Sequence, residues 1–196
     1  MHYAFYIVMS ECFLQKPRKL QTKKEVLNMI MSFAEKSPSV EKASFIAENA
    51  SIIGNVTLEE NANIWFGAVL RADIAEIRVG KNTNIQDNAV IHVSIGKPAI
   101  IGDNVTIGHS AIVHGATVGN NVLIGMGSII LDGAVIGDNC VIGAGAVVTS
   151  NTVVPANTMM LGTPAKPVKE ITPEKAEGIK MSAEGYVKLS KSFNKI

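Results

Sequence analysis

Aliphatic residues followed by small or polar ones recur every six residues along most of this chain: Ile46, Ile52, Leu58, Ile64 and Leu70, then Val79, Ile85 and Ile91, then Ile101 and Ile107. After one five-residue step the series runs Ile112, Val118, Ile124, Ile130, Ile136, Ile142, Val148 and Val154. Counting that residue as position one, position five is small or aliphatic, from Ala50 and Val56 through Ala62, Ala68, Ile74, Thr83 and Ala89 to Thr158. Position four is Asn at 49, 55, 61, 82, 88, 104, 121, 139, 151 and 157, and Gly at 67, 115, 127, 133 and 145; Asp73, Ser94 and Ser110 fill the remainder. Asn and Gly accept a positive φ at least cost, so position four marks a corner taken in the left-handed region. A corner every six residues predicts three short strands per turn, a triangular coil whose stacked turns hydrogen-bond at about 4.8 Å. A β-sandwich has no need of a six-residue phase held across so much of a chain.

The repeat resembles the left-handed parallel β-helix of hexapeptide-repeat proteins, and the expected handedness comes from that resemblance. The solenoid is expected over residues 40–166, with an irregular first hexad starting at Val40. Residues 1–39 read as an N-terminal extension, with a helix over residues 22–35 that puts Leu27, Ile30 and Ala34 on one face. Met29 and Met31 are alternative starting residues. Residues 167–196 read as a C-terminal helix on the solenoid wall. Thr172-Pro173 supplies the cap and first position, and Ile179, Ala183, Tyr186 and Leu189 form the apolar stripe.

Composition narrows the classes. Hydrophobic residues make up 47% but aromatics only 5%, which implies a narrow aliphatic interior. A net charge of +1 without long single-sign runs removes the basic footprint of a nucleic-acid binder. Two cysteines, Cys12 and Cys140, make no disulfide framework, and cytoplasm is the expected compartment. The apolar stretch 4–9 is too short to span a bilayer and lacks the marks of a signal peptide. Cys140 falls at position five and reads as core; Trp65 reads as an outward residue covering an apolar patch.

Three of the four histidines fall between residues 92 and 114. Counting hexads in threes, with corner insertions after Leu70 and Ile91, places Leu70, Ile91 and Ile112 on one wall of successive coils. Arg71, His92 and His114 then lie near one another. Gln86, Asp87 and His109 lie on the preceding wall, with His109 one coil above Asp87. Two histidines on one wall and a third on another are awkward for a single metal within one prism, but natural between two facing prisms. A cyclic trimer repeats such a contact three times and closes. Three imidazoles with an open fourth position form the ligand set of a catalytic zinc, and imidazole equally suits Fe2+ and Co2+.

The run VLRADIAEIRVGKNTNIQDNAVIHV, followed by IGHSAIVHG, IGMG and GTPAK, resembles gamma-class carbonic anhydrases over about residues 40–166. The resemblance implies that His92 and His114 of one subunit and His109 of its neighbour hold the metal in a homotrimer. It implies that Arg71, Asp73 and Asp87 are interface ion-pair residues. It also implies that Asn84 and Gln86 hold the attacking water and substrate, with carbon dioxide and bicarbonate as the ligands. Hydration by a metal-bound hydroxide is the reaction expected, with Arg71 attracting bicarbonate. Two departures bear on speed: Ile74 stands where a proton-transfer glutamate is usual, and residues 93–99 replace an acidic loop. Three other readings remain: hydrolysis of an acyl-CoA thioester at the same site, an acyltransferase on the same fold, and a non-catalytic assembly subunit that keeps the metal. An acyltransferase typically needs one basic histidine and a coenzyme A groove, and does not explain three converging ones. Met126 is a candidate border residue of the site.

Overall fold

In the computed structural model, which describes residues 29–193, the chain winds as a left-handed parallel β-helix with one C-terminal α-helix. Each coil presents a rung to each of three walls. On the first wall the inward residues stack in register as Ile46, Ile64, Ile85, Ile107, Ile124, Ile142 and Met160, which counts seven coils. The second, histidine-bearing wall stacks Ile52, Leu70, Ile91, Val113, Ile130 and Val148. The third stacks Leu58, Val79, Ile101, Val118, Ile136 and Val154. All but Ile46 and Met160 are at most 1% exposed, so β-branched and Leu side chains fill the axis as one column. Cys140 lies within it, its thiol donating to the Pro155 carbonyl at 3.0 Å, and burial pushes that thiol's pKa up.

The corners follow the Asn and Gly positions closely. Asn61, Asn82, Asn88, Asn104, Ser110, Asn121, Asn139, Asn151 and Asn157 all have φ between 54° and 60°. Along one edge Asn61, Asn82, Asn104, Asn121, Asn139 and Asn157 form a ladder, each amide donating to the next coil's amide oxygen at 3.0–3.2 Å. Replacing Asn139 by Val should therefore lower stability by about 1–3 kcal/mol through the left-handed backbone alone. Replacement by Gly should lose only the two ladder bonds, about 0.5–1.5 kcal/mol each. Denaturant titration checks the order; equal losses would contradict the corner assignment.

Three expectations are corrected here: the corner residues, the short step and the N-terminal helix. Asn49, Asn55, Asp73 and Ser94 do not take the left-handed conformation. Gly54 turns the corner in place of Asn55, because Ala72 pairs with Gly54 and Ile77 with Val56, so residues 73–76 bulge outward opposite one residue. The short step lies after Val113 and not before it: Val113 pairs with Ile91 and is buried, whereas Ile112 is half-exposed. Within residues 22–35 the described part, from 29, is no helix: Met29–Met31 is a strand parallel to residues 51–53, followed by a turn. It extends the sheet by backbone pairing, which outweighs the helical spacing of its apolar residues; residues 22–28 lie outside the described part.

The helix Pro173–Ser190 is capped by Thr172, whose hydroxyl accepts from the Lys175 amide at 3.4 Å. It buries Ile179, Ala183, Val187 and Ser190. Tyr186 and Leu189 fall to the side of that stripe, because two successive steps of three residues each fall about 60° short of a full turn on a helix of 3.6 residues per turn. The helix lies on the first wall, where it covers Trp65, 5% exposed and packed edge-on against Tyr186 and Phe193. No helix among the described residues is long and apolar enough to cross a membrane.

Candidate metal centre

The parallel register of the second wall sets Arg71, His92 and His114 directly over one another in successive coils. His92 Nδ1 faces His114 Nε2 at 2.8 Å, with the rings tilted edge to face at a centroid distance of 4.8 Å. The outer nitrogen of each ring is engaged by a carboxylate. His92 Nε2 lies 3.1 Å from Asp73 Oδ1, and Asp73 is paired with Arg71. His114 Nδ1 lies 2.6 Å from Asp132 Oδ1, whose second oxygen accepts from the Ser94 hydroxyl at 2.9 Å.

A carboxylate only accepts, so each ring carries its proton on the carboxylate side. That leaves His92 Nδ1 and His114 Nε2 as two lone pairs aimed at each other. Two facing acceptors need a cation between them, either a proton or a metal ion. A tetrahedral metal with bonds of about 2.0–2.1 Å holds two nitrogens about 3.4 Å apart, so the rings need to part by roughly 0.6 Å to accept it. The donor set therefore fits a borderline metal such as zinc, at the cost of small rotations.

His109 stands apart from this pair, on the first wall, one coil above Asp87, whose Oδ2 lies 2.9 Å from His109 Nδ1. The His109 side chain is 45% exposed. Among the described residues of a single chain no three His, Cys, Asp or Glu side chains converge on one point. Met126 lies beside His109 in the next coil and is exposed.

Asn84 and Gln86 lie on the same wall as His109. Gln86 donates from Nε2 to Asn84 Oδ1 at 3.0 Å, and Asn84 donates from Nδ2 to Thr106 at 2.9 Å. Asn84 has no exposed surface, so it holds Gln86 and touches neither water nor substrate. The Gln86 amide oxygen is the end left to accept.

Electrostatics follow the pairing. Burial raises the Asp73 pKa, but hydrogen bonds from His92 and its own backbone, with Arg71, outweigh it and leave the group below the ordinary carboxylate value. The bond from His114 chiefly holds Asp132 down, aided by Ser94 and Lys97. Burial, with the charge of Asp87, raises the Tyr186 hydroxyl.

Sequence reasoning placed Arg71, His92 and His114 on one wall and Gln86, Asp87 and His109 on the preceding one, where they stand; Asp73, read as a corner, instead lies on the bulge. The reading missed Asp132 and the approach of Tyr186 to Asp87. The signal for Asp132 was the one-residue deletion beside His114.

Residues 115–150 match the family described as bacterial transferase hexapeptide (six repeats). Among similar proteins, the carbonic anhydrase of Geobacillus kaustophilus is 47% identical over 81% of this chain and 87% of its own. Gamma carbonic anhydrase 2, mitochondrial, of Arabidopsis thaliana is 40% identical over 85% of this chain. This chain covers 65% of that relative's length. A solved structure described as a hexapeptide transferase family protein from Anaplasma phagocytophilum superposes with a TM-score of 0.80 at 44% identity, covering 84% of this chain and 97% of its own. The chain belongs to the gamma carbonic anhydrase family of hexapeptide-repeat proteins.

Proposed function

We propose that the protein is a metal-dependent carbonic anhydrase that interconverts carbon dioxide and bicarbonate at sites shared between the subunits of a homotrimer. The observation that carries this reading is the close approach of His92 Nδ1 and His114 Nε2 at 2.8 Å, with the other nitrogen of each ring held by its own carboxylate. His109 of a neighbouring subunit supplies the third nitrogen, since among the described residues of one chain no third ligand joins the pair. Zinc is the proposed ion, with Fe2+ and Co2+ as the other ions this donor set suits.

A metal held by three imidazoles supplies Lewis acidity and water activation at neutral pH. The remaining work falls to this chain's residues. Asn84 fixes the Gln86 amide so that its oxygen accepts a proton-bearing group at the site, orienting an attacking water. Arg71, half-exposed beside Asp73, offers a cation toward which the anionic product is drawn. Arg71, Asp73 and Asp87 lie at the proposed contact between prisms, where Asp73 and Asp87 also orient His92 and His109.

The purified protein should contain close to one metal per subunit and should hydrate carbon dioxide in a stopped-flow assay. The solved structures described as transferases favour a comparison with acetyl-CoA, both as acyl donor and as thioester. Metal-replete trimer that cleaves or transfers from acetyl-CoA but leaves carbon dioxide untouched would overturn the reading, and inertness toward both would indicate an assembly subunit.

A further inference from the structure

Two irregularities of the repeat meet at one corner, between the second and third walls. The hexad that begins at Val113 is one residue short, since the next inward residue is Val118. The hexad that begins at Ile91 carries a detour closed by the Ser94–Lys97 bridge. In a regular hexad a position-three residue stands between the outward residue and the corner. In the His114 coil that residue is missing, and His114 is followed directly by the corner glycine Gly115, with φ 54°.

Asp132, the position-three residue of the next coil, reaches back across this gap to His114 Nδ1 at 2.6 Å. The space exists only because residue 115 is glycine: a Cβ there would lie 2.4 Å from Asp132 Oδ1 and 3.2 Å from Lys97 Cβ. The detour closes on the same carboxylate from the other side. Ser94 donates to Asp132 Oδ2 at 2.9 Å, and Lys97, held 3.5 Å from Asn151 Oδ1, adds its charge nearby. The deletion, the glycine and the detour all converge on the placement of one acid.

We propose that Asp132, steadied by Ser94 and Lys97, is a positioning residue of the metal centre that fixes His114 with its proton on Nδ1 and its lone pair on Nε2. This inference rests on the metal-site reading above. A carboxylate cannot donate, so it admits one tautomer; an amide can donate as well as accept, and lets the ring take the tautomer whose Nε2 carries hydrogen and cannot ligate. Asp73 does for His92 through Nε2 what Asp132 does for His114 through Nδ1, and the opposite choice of nitrogen is what turns the two lone pairs toward each other.

The test is Asp132→Asn in the full chain, read by Co2+ titration of the metal-free protein through its visible absorption, and by the melting temperature of the same metal-free sample. Partners of this kind typically contribute 10–100-fold to metal affinity, so the apparent Kd should rise by about 10–100-fold with the metal-free melting temperature unchanged. Ser94→Ala, which removes one support of the carboxylate, should raise it by a smaller factor, about two- to fivefold. If Asp132→Asn does not fold, Ser94→Ala decides alone, and unchanged affinity there overturns the proposal. Wild-type affinity in Asp132→Asn overturns it too, as does an affinity loss that only follows a fall in melting temperature. Wild-type protein that takes up no Co2+ would instead sink the metal site itself.

Discussion

His109→Ala is expected to reduce both bound metal and carbon dioxide hydration to background while leaving the fold intact. The side chain is 45% exposed and, among the described residues, pairs with Asp87 alone, so its loss as a surface pair costs at most about 1 kcal/mol of stability. The His92–His114 pair is untouched in the same chain, because His109 lies on a different wall. A total functional loss from a structurally mild change, at a residue remote from the pair within its own subunit, follows only if the site is completed from a neighbour. Metal analysis and circular dichroism of the purified variant check both halves.

Turnover is expected to depend on external buffer, rising with the concentration of imidazole until another step limits. Hydration releases one proton per carbon dioxide, and a positioned acid–base group contributes typically 10²–10⁴-fold to moving such a proton. The carboxylates nearest the pair, Asp73 and Asp132, are both engaged by histidines. The bulge after Asp73 presents Ile74, 53% exposed, and the detour after His92 presents Ser94 and Lys97, both turned to the corner where Asp132 sits. Glu76 is exposed on the bulge and takes no part in the hydrogen bonds or ion pairs of His92, His109 and His114, so Glu76→Ala should change little. Stopped-flow rates measured across imidazole concentrations at constant ionic strength check this; a buffer-independent kcat would mean that an internal proton carrier exists.

Most of the solenoid was legible because the physical constraint is local and repeats. A buried Ile, Leu or Val and a left-handed Asn or Gly recur at fixed offsets, and each coil hydrogen-bonds only to its neighbours. The reading slipped where two candidates compete for one slot. Ile112 and Val113 are both aliphatic, and only pairing with Ile91 decides which points inward. Gly54 and Asn55 both tolerate a corner, and the bulge at 73–76 in the adjacent coil moves the turn to the glycine. The strand at Met29–Met31 carries helical spacing, and its state is fixed by residues 51–53, more than twenty positions away.

The candidate site was legible for a different reason. Histidine is scarce in this chain, and a count of coils is enough to stack His92 on His114 and His109 on Asp87. Asp132 escaped because an acid before a corner glycine looks like any solvated turn. Its significance depends on a residue missing eighteen positions earlier, which a composition or motif reading passes over. Asn84 was assigned to substrate, yet burial commits it to Gln86 and Thr106.

The shared site is tested most directly by mixing two inactive variants, His92→Ala and His109→Ala, unfolding and refolding them together in equal amounts. Neither homotrimer has a complete site. In a random mixed trimer, the contacts that join the intact His92–His114 pair of one variant to the intact His109 of the other should make up about one quarter of all contacts, given a cyclic arrangement of equivalent interfaces. Metal content and hydration activity should therefore return to about one quarter of the wild-type value. No recovery from mixed trimers of confirmed composition would contradict a site built across subunits.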